Sequence, residues 1–277
     1  MLLYILRIFA VLSASLIYCT LASGWGYGTD NGPASWKGTC QSGLRQSPID
    51  IKASDVDYAL LNRLHFVGYD QYGRVDLANN GHTVPLALGA EERRGKRAHD
   101  RRTVLHLVHY KEGLTSRQAM EQGDGIAVVG IFLWIKASGE PLGKITPALE
   151  GVAEAGHVAE VDKFWLRGIL PLGTDSYYHY EGSLTTPGCN EAVQWYVLTE
   201  PISVTPEQLA TLRKIQNDHE HTHEFNFRPT QPLNGRRILY RPSQYNRAKF
   251  CDGASDTFTP LTILMVPVIV SAIRSFF

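Results

Sequence analysis

The sequence has no excess of charge of either sign, because Lys and Arg together number 27 and so do Asp and Glu. With no overall positive charge to favour nucleic-acid binding, we expect no nucleic-acid partner. There is also no internal repeat, and no long linker rich in Pro, Gly or Ser lies between the two ends of the chain. The sequence therefore predicts a single domain over residues 24–250.

The first 23 residues have few polar side chains. Residues 1–23 are almost wholly apolar, with Arg7 as an interruption, and they end in the small residues Thr20, Ala22 and Ser23. An apolar stretch that ends in small residues is typical of a cleaved signal peptide, which directs a chain into the secretory pathway. An uncleaved membrane anchor is the alternative interpretation.

The C-terminal segment, residues 251–277, is apolar again at its end. Mostly small residues from Asp252 to Ser255 are followed by a brief polar spacer and by an apolar run from Leu261 to Phe277. This order is the signature of a glycolipid (GPI) anchor signal. The run is shorter than the roughly 20 residues of a spanning helix, and a short transmembrane segment is the alternative. Both interpretations predict a protein held at the extracellular face of the plasma membrane.

Between these ends, short apolar runs alternate with turn residues. SPIDI, VLHLVHY, IAVVGIFLWI, AVQWYVL and RRILYR are rich in Val, Ile, Tyr and Trp, as β-strands are. Helical spacing is confined to residues 206–215, which begin with Pro, and to residues 144–156. The sequence therefore predicts a mostly β (α+β) single domain with short peripheral helices.

The strongest local signal for chemistry is the run LHLVH at residues 105–109. On a strand, side chains alternate between two faces, so His106 and His109 face opposite ways and cannot bind one metal together. A lone His on a buried strand is commonly a hydrogen-bonded core residue. The role of His106 therefore depends on the motifs that surround it.

His106 belongs to an ordered series of short motifs. In chain order these are WGYG at 25–28 with Trp36, QSPIDI at 46–51, NGH at 80–82, LHLVH at 105–109, IAVVGIF at 126–132, SLTTP at 183–187 with Trp195, EPIS at 200–203 and RP at 228–229. Together and in this order they resemble the α-carbonic anhydrase family over nearly all of residues 24–250. The resemblance implies a large, mostly antiparallel twisted sheet, a zinc cofactor, and the reversible hydration of CO2 to bicarbonate, which is a lyase reaction.

The resemblance also assigns roles to single residues. In this family three neutral His bind zinc, and the metal lowers the pKa of its bound water to about 7. His106 matches the third zinc ligand, Thr185 matches the hydroxyl that orients the zinc-bound hydroxide, and His82 matches the catalytic proton shuttle. The implied substrate-binding residues for CO2 are Thr185 and Thr186, with an apolar wall of Val108, Val128, Leu184 and Trp195.

The cysteines agree with a secreted member of this family. Cys40 and Cys189 match the disulfide of secreted and membrane-anchored members, whereas Cys251 lies beside the predicted anchor site and Cys19 within the predicted signal peptide. An oxidising, extracellular compartment permits such a bond. We therefore expect a disulfide between Cys40 and Cys189.

One interval departs from the family. The domain is internally shortened between residues 83 and 104, by roughly 30 residues, about two strands of typical length and their connections. The interval lacks the His-x-His motif that carries the other two zinc ligands, and its single His99 lies in a basic segment. Val104 stands where the family has a Glu that supports a zinc ligand. We therefore expect poor zinc binding, impaired catalysis, and unpaired backbone groups in the sheet unless neighbouring residues close the gap.

Two other segments could bind ions. Residues 218–224, DHEHTHE, place three His at alternate positions, which would share one face of a strand. Residues 91–102 contain five Arg and one Lys, which would suit an anionic surface. A solvated loop is the alternative for each. Two functional classes stay open: a zinc lyase acting on CO2, and a catalytically silent, surface-tethered binding protein.

Overall fold

The computed structural model describes residues 24–82, 84, 88–92, 101–216, 226–243 and 264–265, and for 88–92, 101–103 and 264–265 the description covers the backbone only. The predicted signal peptide, the basic residues 93–100, the His-rich residues 218–224 and the predicted anchor signal, apart from its residues 264–265, lie outside the described residues.

The described residues form twelve strands and four short α-helices. The strands are β1 Val56–Tyr58, β2 His65–Phe66, β3 Tyr72–Ala78, β4 Leu88–Glu92, β5 Arg101–Tyr110, β6 Ile126–Ile135, β7 Val158–Trp165, β8 Tyr177–Gly182, β9 Val193–Leu198, β10 Ile202–Val204, β11 Ile238–Arg241 and β12 Leu264–Met265. The α-helices are α1 Thr39–Ser42, α2 Ser116–Glu121, α3 Thr146–Glu150 and α4 Pro206–Arg213, and single 3-10 turns span Ala53–Asp55, Glu140–Leu142 and Leu166–Ile169.

One large sheet organises the molecule. Seven of its eight strands follow the order β1-β11-β8-β9-β6-β5-β4, and the eighth, β10, pairs with β6. The pairs β1–β11, β6–β9 and β6–β10 are parallel, and the other pairs of this sheet are antiparallel. Two small sheets, β3–β7 and β2–β12, lie apart from it. The predicted fold class, mostly β on a large sheet with short helices, is confirmed, and the sheet is mixed.

The central strands bury both of their faces. On β5, Leu105 and Leu107 face the larger core, which also contains Ile131 of β6 and Leu209 of α4. Leu105 and Ile131 have no exposed surface, and burying each contributes about 1.5–3 kcal/mol. The alternate residues of the same strands face a second apolar cluster around Trp195. That second face carries the site described below.

The helices sit at the periphery, as predicted. The helix predicted over 206–215 is α4, which has Pro206 in its first turn, and the hydroxyl of Thr205 accepts a hydrogen bond from the backbone N–H of Gln208. This capping box satisfies N–H groups that the helix itself leaves free. The helix predicted within 144–156 is shorter, Thr146–Glu150. Among the described helices, none is long and apolar enough to cross a membrane.

The prediction of a strand over SPIDI, residues 47–51, is wrong. Only Ile49 forms an isolated bridge, to Gln231. The backbone N–H of Ser47 donates instead to the hydroxyl of Ser183, and Pro48 has no N–H to donate to a neighbouring strand. This segment therefore serves as a support for the loop that carries SLTTP.

Candidate functional site

His106 lies in the middle of β5 and faces the second apolar cluster. Its partner across the ladder is Gly130 of β6, so no side chain of that residue covers the imidazole. The ring packs edge-to-face on Trp195 of β9, with 4.9 Å between the ring centroids. Because Trp195 is buried and His106 half-buried, the imidazole forms part of the floor of an open cleft.

The cleft is lined by residues of the N-terminal segment, the sheet and the segment before β11. These are Tyr27, Pro48, Ile49, Asp50, Ile51, Val104, His106, Gly130, Phe132, Tyr180, Thr185, Trp195, Val197, Asn226, Phe227, Arg228 and Thr230. The structure thus brings together His106, Thr185 and Trp195, three residues predicted from sequence. Val108, Val128 and Leu184 belong to the apolar cluster beside the cleft rather than to its lining.

Burial sets the charge state of His106. Loss of hydration on the cleft floor lowers the pKa of His106 to about 4, because the charged form of an imidazole is disfavoured away from water. The ring is therefore neutral near pH 7. A neutral imidazole is the form that binds a metal, and it also donates or accepts a single hydrogen bond.

His109 faces away from His106, as its spacing predicts. Its Nε2 lies 2.6 Å from the hydroxyl of Tyr69, and its Nδ1 lies 3.2 Å from the carbonyl oxygen of Ala127. Burial lowers its pKa, and the hydrogen bonds to backbone act in the opposite direction. His109 is therefore a hydrogen-bonded core residue, and the expectation that the pair cannot bind one metal agrees with this geometry.

Thr185 and Thr186 lie in a tight loop between β8 and β9. The N–H of Leu184 donates to the carbonyl of Asn190, and the N–H of Cys189 donates to the carbonyl of Thr186. Cys189 is bonded to Cys40, which confirms the predicted disulfide. The disulfide and the two hydrogen bonds together fix the loop, so Thr185 is held at the edge of the cleft while Thr186 is not among its lining residues.

A buried pair of serines connects this loop to QSPIDI. The N–H of Ser47 donates to the hydroxyl of Ser183 at 2.9 Å, and the N–H of Ser183 donates to the hydroxyl of Ser47 at 3.0 Å. The indole N–H of Trp195 donates to the carbonyl of Ser183. From the sequence, Ser47 and Ser183 are only members of the QSPIDI and SLTTP motifs, and no contact between them is predicted. Their reciprocal hydrogen bonds give a physical reason for the two motifs to occur together.

The Arg of the RP motif supports the same region from the other side. The guanidinium of Arg228 is buried, and it donates to the side-chain oxygen of Gln46 and to the carbonyls of Ser47 and Cys40. The predictions gave Arg228 no role. A buried charge needs hydrogen-bonding partners, and here those partners connect Cys40 of the disulfide and QSPIDI to a residue that lines the cleft.

His82 lies in the loop after β3 and is not among the residues that line the cleft. Its ring stacks on Trp25 with 4.0 Å between centroids and an angle of 18° between the planes. Its backbone N–H donates to the side chain of Asn80. The structure therefore places His82 against the N-terminal aromatic residues, and its role as a proton shuttle stays a prediction.

The donor set does not fit a zinc ion. Among the described residues, no group of three or more His, Cys, Asp or Glu is close enough to hold a metal. The neighbour of β5 on the side away from β6 is β4, whose residues 88–92 include no His and pair with 101–105. Val104, which shares the cleft face with His106, is apolar and 5% exposed. Zinc needs three protein ligands at such a site, and the described cleft offers one.

The interval between His82 and His106 also stands out when this chain is compared with known proteins. The sequence profile of the family described as eukaryotic-type carbonic anhydrase matches residues 31–103 and 98–242, in two segments that meet at 98–103. That junction lies within residues 83–104, the interval predicted to be shortened. Together the two matches cover most of the chain.

Curated relatives match over most of their own length. "Putative carbonic anhydrase 5" of Caenorhabditis elegans is 40% identical over 281 residues, covering 88% of this chain and 90% of the relative. "Carbonic anhydrase 7" of Homo sapiens is 34% identical over 253 residues, covering 77% of this chain and 95% of the relative. "Putative carbonic anhydrase 3" of Caenorhabditis elegans is 31% identical over 252 residues, covering 78% and 97%.

The first of these alignments is longer than the chain itself. It spans 281 positions yet covers 88% of a chain of 277 residues, so the relative has residues that no residue of this chain matches. The split family match and this surplus agree with an internally shortened domain. The matched segments and the identity to these relatives lead to one conclusion: the chain belongs to the eukaryotic-type carbonic anhydrase family.

Proposed function

We propose that this protein has the site of a CO2 hydratase, that its reaction is the zinc-dependent, reversible conversion of CO2 to bicarbonate, and that this reaction is impaired in the present chain. The observation that carries the proposal is the cleft itself. His106, Thr185 and the apolar side chains of Val104, Phe132 and Trp195 line it, but the described residues supply one His where the metal needs three. Zinc, when bound, supplies a hydroxide nucleophile at neutral pH.

The residues that are present would orient and bind the substrate without activating it. Val104, Phe132 and Trp195 offer apolar contacts that suit an uncharged molecule such as CO2. Thr185 presents a hydroxyl, which both donates and accepts hydrogen bonds. None of these side chains generates a strong nucleophile near pH 7, and the neutral ring of His106 has no described partner to activate. Impaired hydration is therefore the expected behaviour.

A catalytically silent binding protein is the second candidate. It is favoured by Val104, because an apolar residue there removes the carboxylate that would support a zinc ligand. For either candidate we propose a secreted protein, tethered at the extracellular face of the plasma membrane by a C-terminal glycolipid. The disulfide between Cys40 and Cys189 supports an oxidising compartment.

Zinc stoichiometry tests the proposal. The purified protein and a His106→Ala variant are incubated with Zn²⁺, dialysed and analysed for metal. We expect no bound zinc that depends on His106. Zinc that persists in His106→Ala lies elsewhere, for example in residues 218–224, and leaves the proposal intact. About one zinc per chain in the wild type and none in His106→Ala would overturn the proposed impairment, while the proposed reaction would stand.

A further inference from the structure

We propose that one face of the domain rests on the outer leaflet of the membrane, where Tyr58, Leu60 and Leu172 contact phosphatidylcholine lipids. We call these three side chains the exit face, because they lie near the end of β11, where the chain leaves the domain. This assigns an interaction surface and its partner, which the proposed reaction does not require. The inference rests on the C-terminal tether proposed above, and it is independent of whether zinc binds.

A buried arginine fixes the position of the exit face. The guanidinium of Arg241, at the end of β11, donates to the backbone carbonyl oxygens of Leu61 and Asp175. A buried charge needs such acceptors, so Arg241 brings residues 58–63 and 171–176 together beside it. These two segments carry the exit face.

The side chains of the exit face are exposed and apolar. Leu172 is 98% exposed, which is the largest exposed fraction among the large apolar residues described, and Tyr58 and Leu60 are 63% and 48% exposed. Removing apolar surface from water is favourable, and apolar residues grouped at one place indicate an interaction site more strongly than scattered ones do. The exit face therefore suits a partner that offers an apolar interior.

Two further tyrosines support Tyr58. Its ring packs edge-to-face on Tyr240, with 5.3 Å between the ring centroids, and Tyr240 stacks on Tyr178 at 4.9 Å. None of the three is among the residues that line the cleft. A tyrosine ring has an apolar body and a polar hydroxyl, which suits the headgroup region of a membrane, and its face attracts a quaternary ammonium group such as choline. The supported ring of Tyr58 therefore fits a phosphatidylcholine surface.

The charges near the exit face favour a zwitterionic lipid over an anionic one. Arg63 forms an ion pair with Asp175, with 3.6 Å between Nε and Oδ1, so these two charges offset one another. The carboxylate of Glu200 lies beside Gly173 and adds a negative charge. Because like charges repel, an anionic membrane would be disfavoured here, whereas phosphatidylcholine has no net charge.

The short path to the predicted anchor site keeps the domain near the lipid. Residues 244–252 separate Ser243 from the predicted attachment at about Asp252. At about 3.3–3.6 Å per extended residue, a segment of this length spans at most about 30 Å. Such a tether holds the domain at a high effective concentration beside the membrane, so a few apolar side chains are enough to orient it. The exit face has the shortest chain path to the lipid.

Hydroxyl-radical footprinting of the tethered protein tests the inference. The full protein is purified from cells with its own anchor and reconstituted into phosphatidylcholine vesicles. Side-chain oxidation is measured before and after the domain is released by the anchor-specific phospholipase, or by a protease if the tail spans the membrane. Tyr72 and Leu44, which are 66% and 68% exposed, are the controls for Tyr58 and Leu172. We expect the vesicles to lower oxidation of Tyr58 and Leu172 at least about threefold relative to these controls, because an inserted side chain is removed from water.

A charge on the exit face should weaken the contact with lipid. Leu172→Asp should reduce the protection of Tyr58 by about half or more, because a carboxylate is costly to remove from water. Leu44→Asp, the matched change at another exposed leucine, should leave the protection of Tyr58 unchanged. Both positions are exposed, so we expect both variants to fold. Vesicles that also contain phosphatidylserine should give no greater protection than phosphatidylcholine alone.

Each other occupant of the exit face gives a different result. Low oxidation of Tyr58 and Leu172 both before and after release would mean that the chain itself covers them, and protection that disappears at low protein density in the vesicles would identify a second copy. Either result would overturn the inference, as would protection equal to that of the controls, protection only with phosphatidylserine, or unchanged protection in Leu172→Asp. Protein that is not membrane-bound would overturn the tether together with the inference. None of these results bears on the proposed reaction, which zinc content tests separately.

Discussion

Gly130 lies directly opposite His106 in the β5–β6 ladder, and this pairing leaves the face of the imidazole open. A residue with a side chain at Gly130 would meet Val104, Val197 and Trp195 and would narrow the cleft above the ring. The openness of the site is therefore a property of the strand register. The same register places Val104 on the cleft face, two residues before His106.

That placement gives a direct test through a designed change. Residues two apart on a strand share a face, so Val104→His should create a His-x-His pair with His106 in the cleft. We expect zinc affinity at least about tenfold above that of the wild type, since two convergent imidazoles replace one. Isothermal titration with Zn²⁺ provides the measurement.

The control for this variant is Val104→Leu, which changes the side chain without adding a ligand. Adding His106→Ala to Val104→His should remove the gain. A Val104→His variant that binds zinc no better than Val104→Leu would show that positions 104 and 106 do not converge on one point in the cleft.

The disulfide should contribute strongly to stability. Cys40 and Cys189 are 149 residues apart, and a crosslink that closes so long a loop stabilises a domain by roughly 3–5 kcal/mol in the chain-entropy model. Cys40→Ser should therefore lower the free energy of unfolding, measured by urea denaturation, by about that amount. Peptide mapping without reduction should recover both cysteines in one linked fragment, and two free thiols would contradict the structure.

Acid should destabilise the protein through its buried His. Burial lowers the pKa of His109 and of His179, so below the ordinary pKa of about 6.5 the unfolded chain takes up protons that the folded chain does not. The free energy of unfolding should fall as pH decreases from 7 to 5, by at most about 1.4 kcal/mol per pH unit for each His.

A His109→Gln variant isolates one of these groups. Glutamine does not titrate, so the variant should show a smaller loss of stability between pH 7 and pH 5 than the wild type. Denaturation curves at the two pH values provide the comparison. An identical pH dependence in both proteins would mean that His109 is not held neutral.

The C-terminal anchor is the prediction that lies furthest from the described residues. If residues after about Asp252 or Gly253 are replaced by a glycolipid, a phospholipase specific for such anchors should release the protein from cells. Protein that stays on the membrane with Phe277 attached would identify the tail as a transmembrane segment.

Much of the fold can be predicted from local sequence. Runs rich in β-branched and aromatic residues predict β5, β6 and β9 without knowledge of the strands that they pair with. The start of α4 is likewise specified locally, because its capping hydrogen bonds join Thr205 and Gln208, which are three residues apart. The strand predicted at SPIDI fails for the opposite reason. Its hydrogen bonds go to Ser183, 136 residues away, and no local pattern encodes such a partner.

The candidate site, like the fold, was predictable from the sequence only in part. The resemblance led to His106 and Thr185, which do share the cleft, and the alternation rule placed His109 on the other face. Sequence did not reveal that Gly130 leaves the floor beside His106 open, nor that Ser47 joins Arg228 to the SLTTP loop. These roles arise from pairing between distant strands and loops, which depends on the assembled sheet.

CO2 hydration measured by stopped flow on this 277-residue chain, with bound zinc determined on the same sample, tests the central claim most directly. We expect hydration no faster than in the buffer control, and no zinc held by His106. The transcript can also be sequenced between codons 82 and 106. If it encodes a strand with the His-x-His motif that this chain lacks, the longer protein should be active. Rapid hydration by the present chain, with about one zinc bound per chain, would contradict the account and show that other residues complete the metal site.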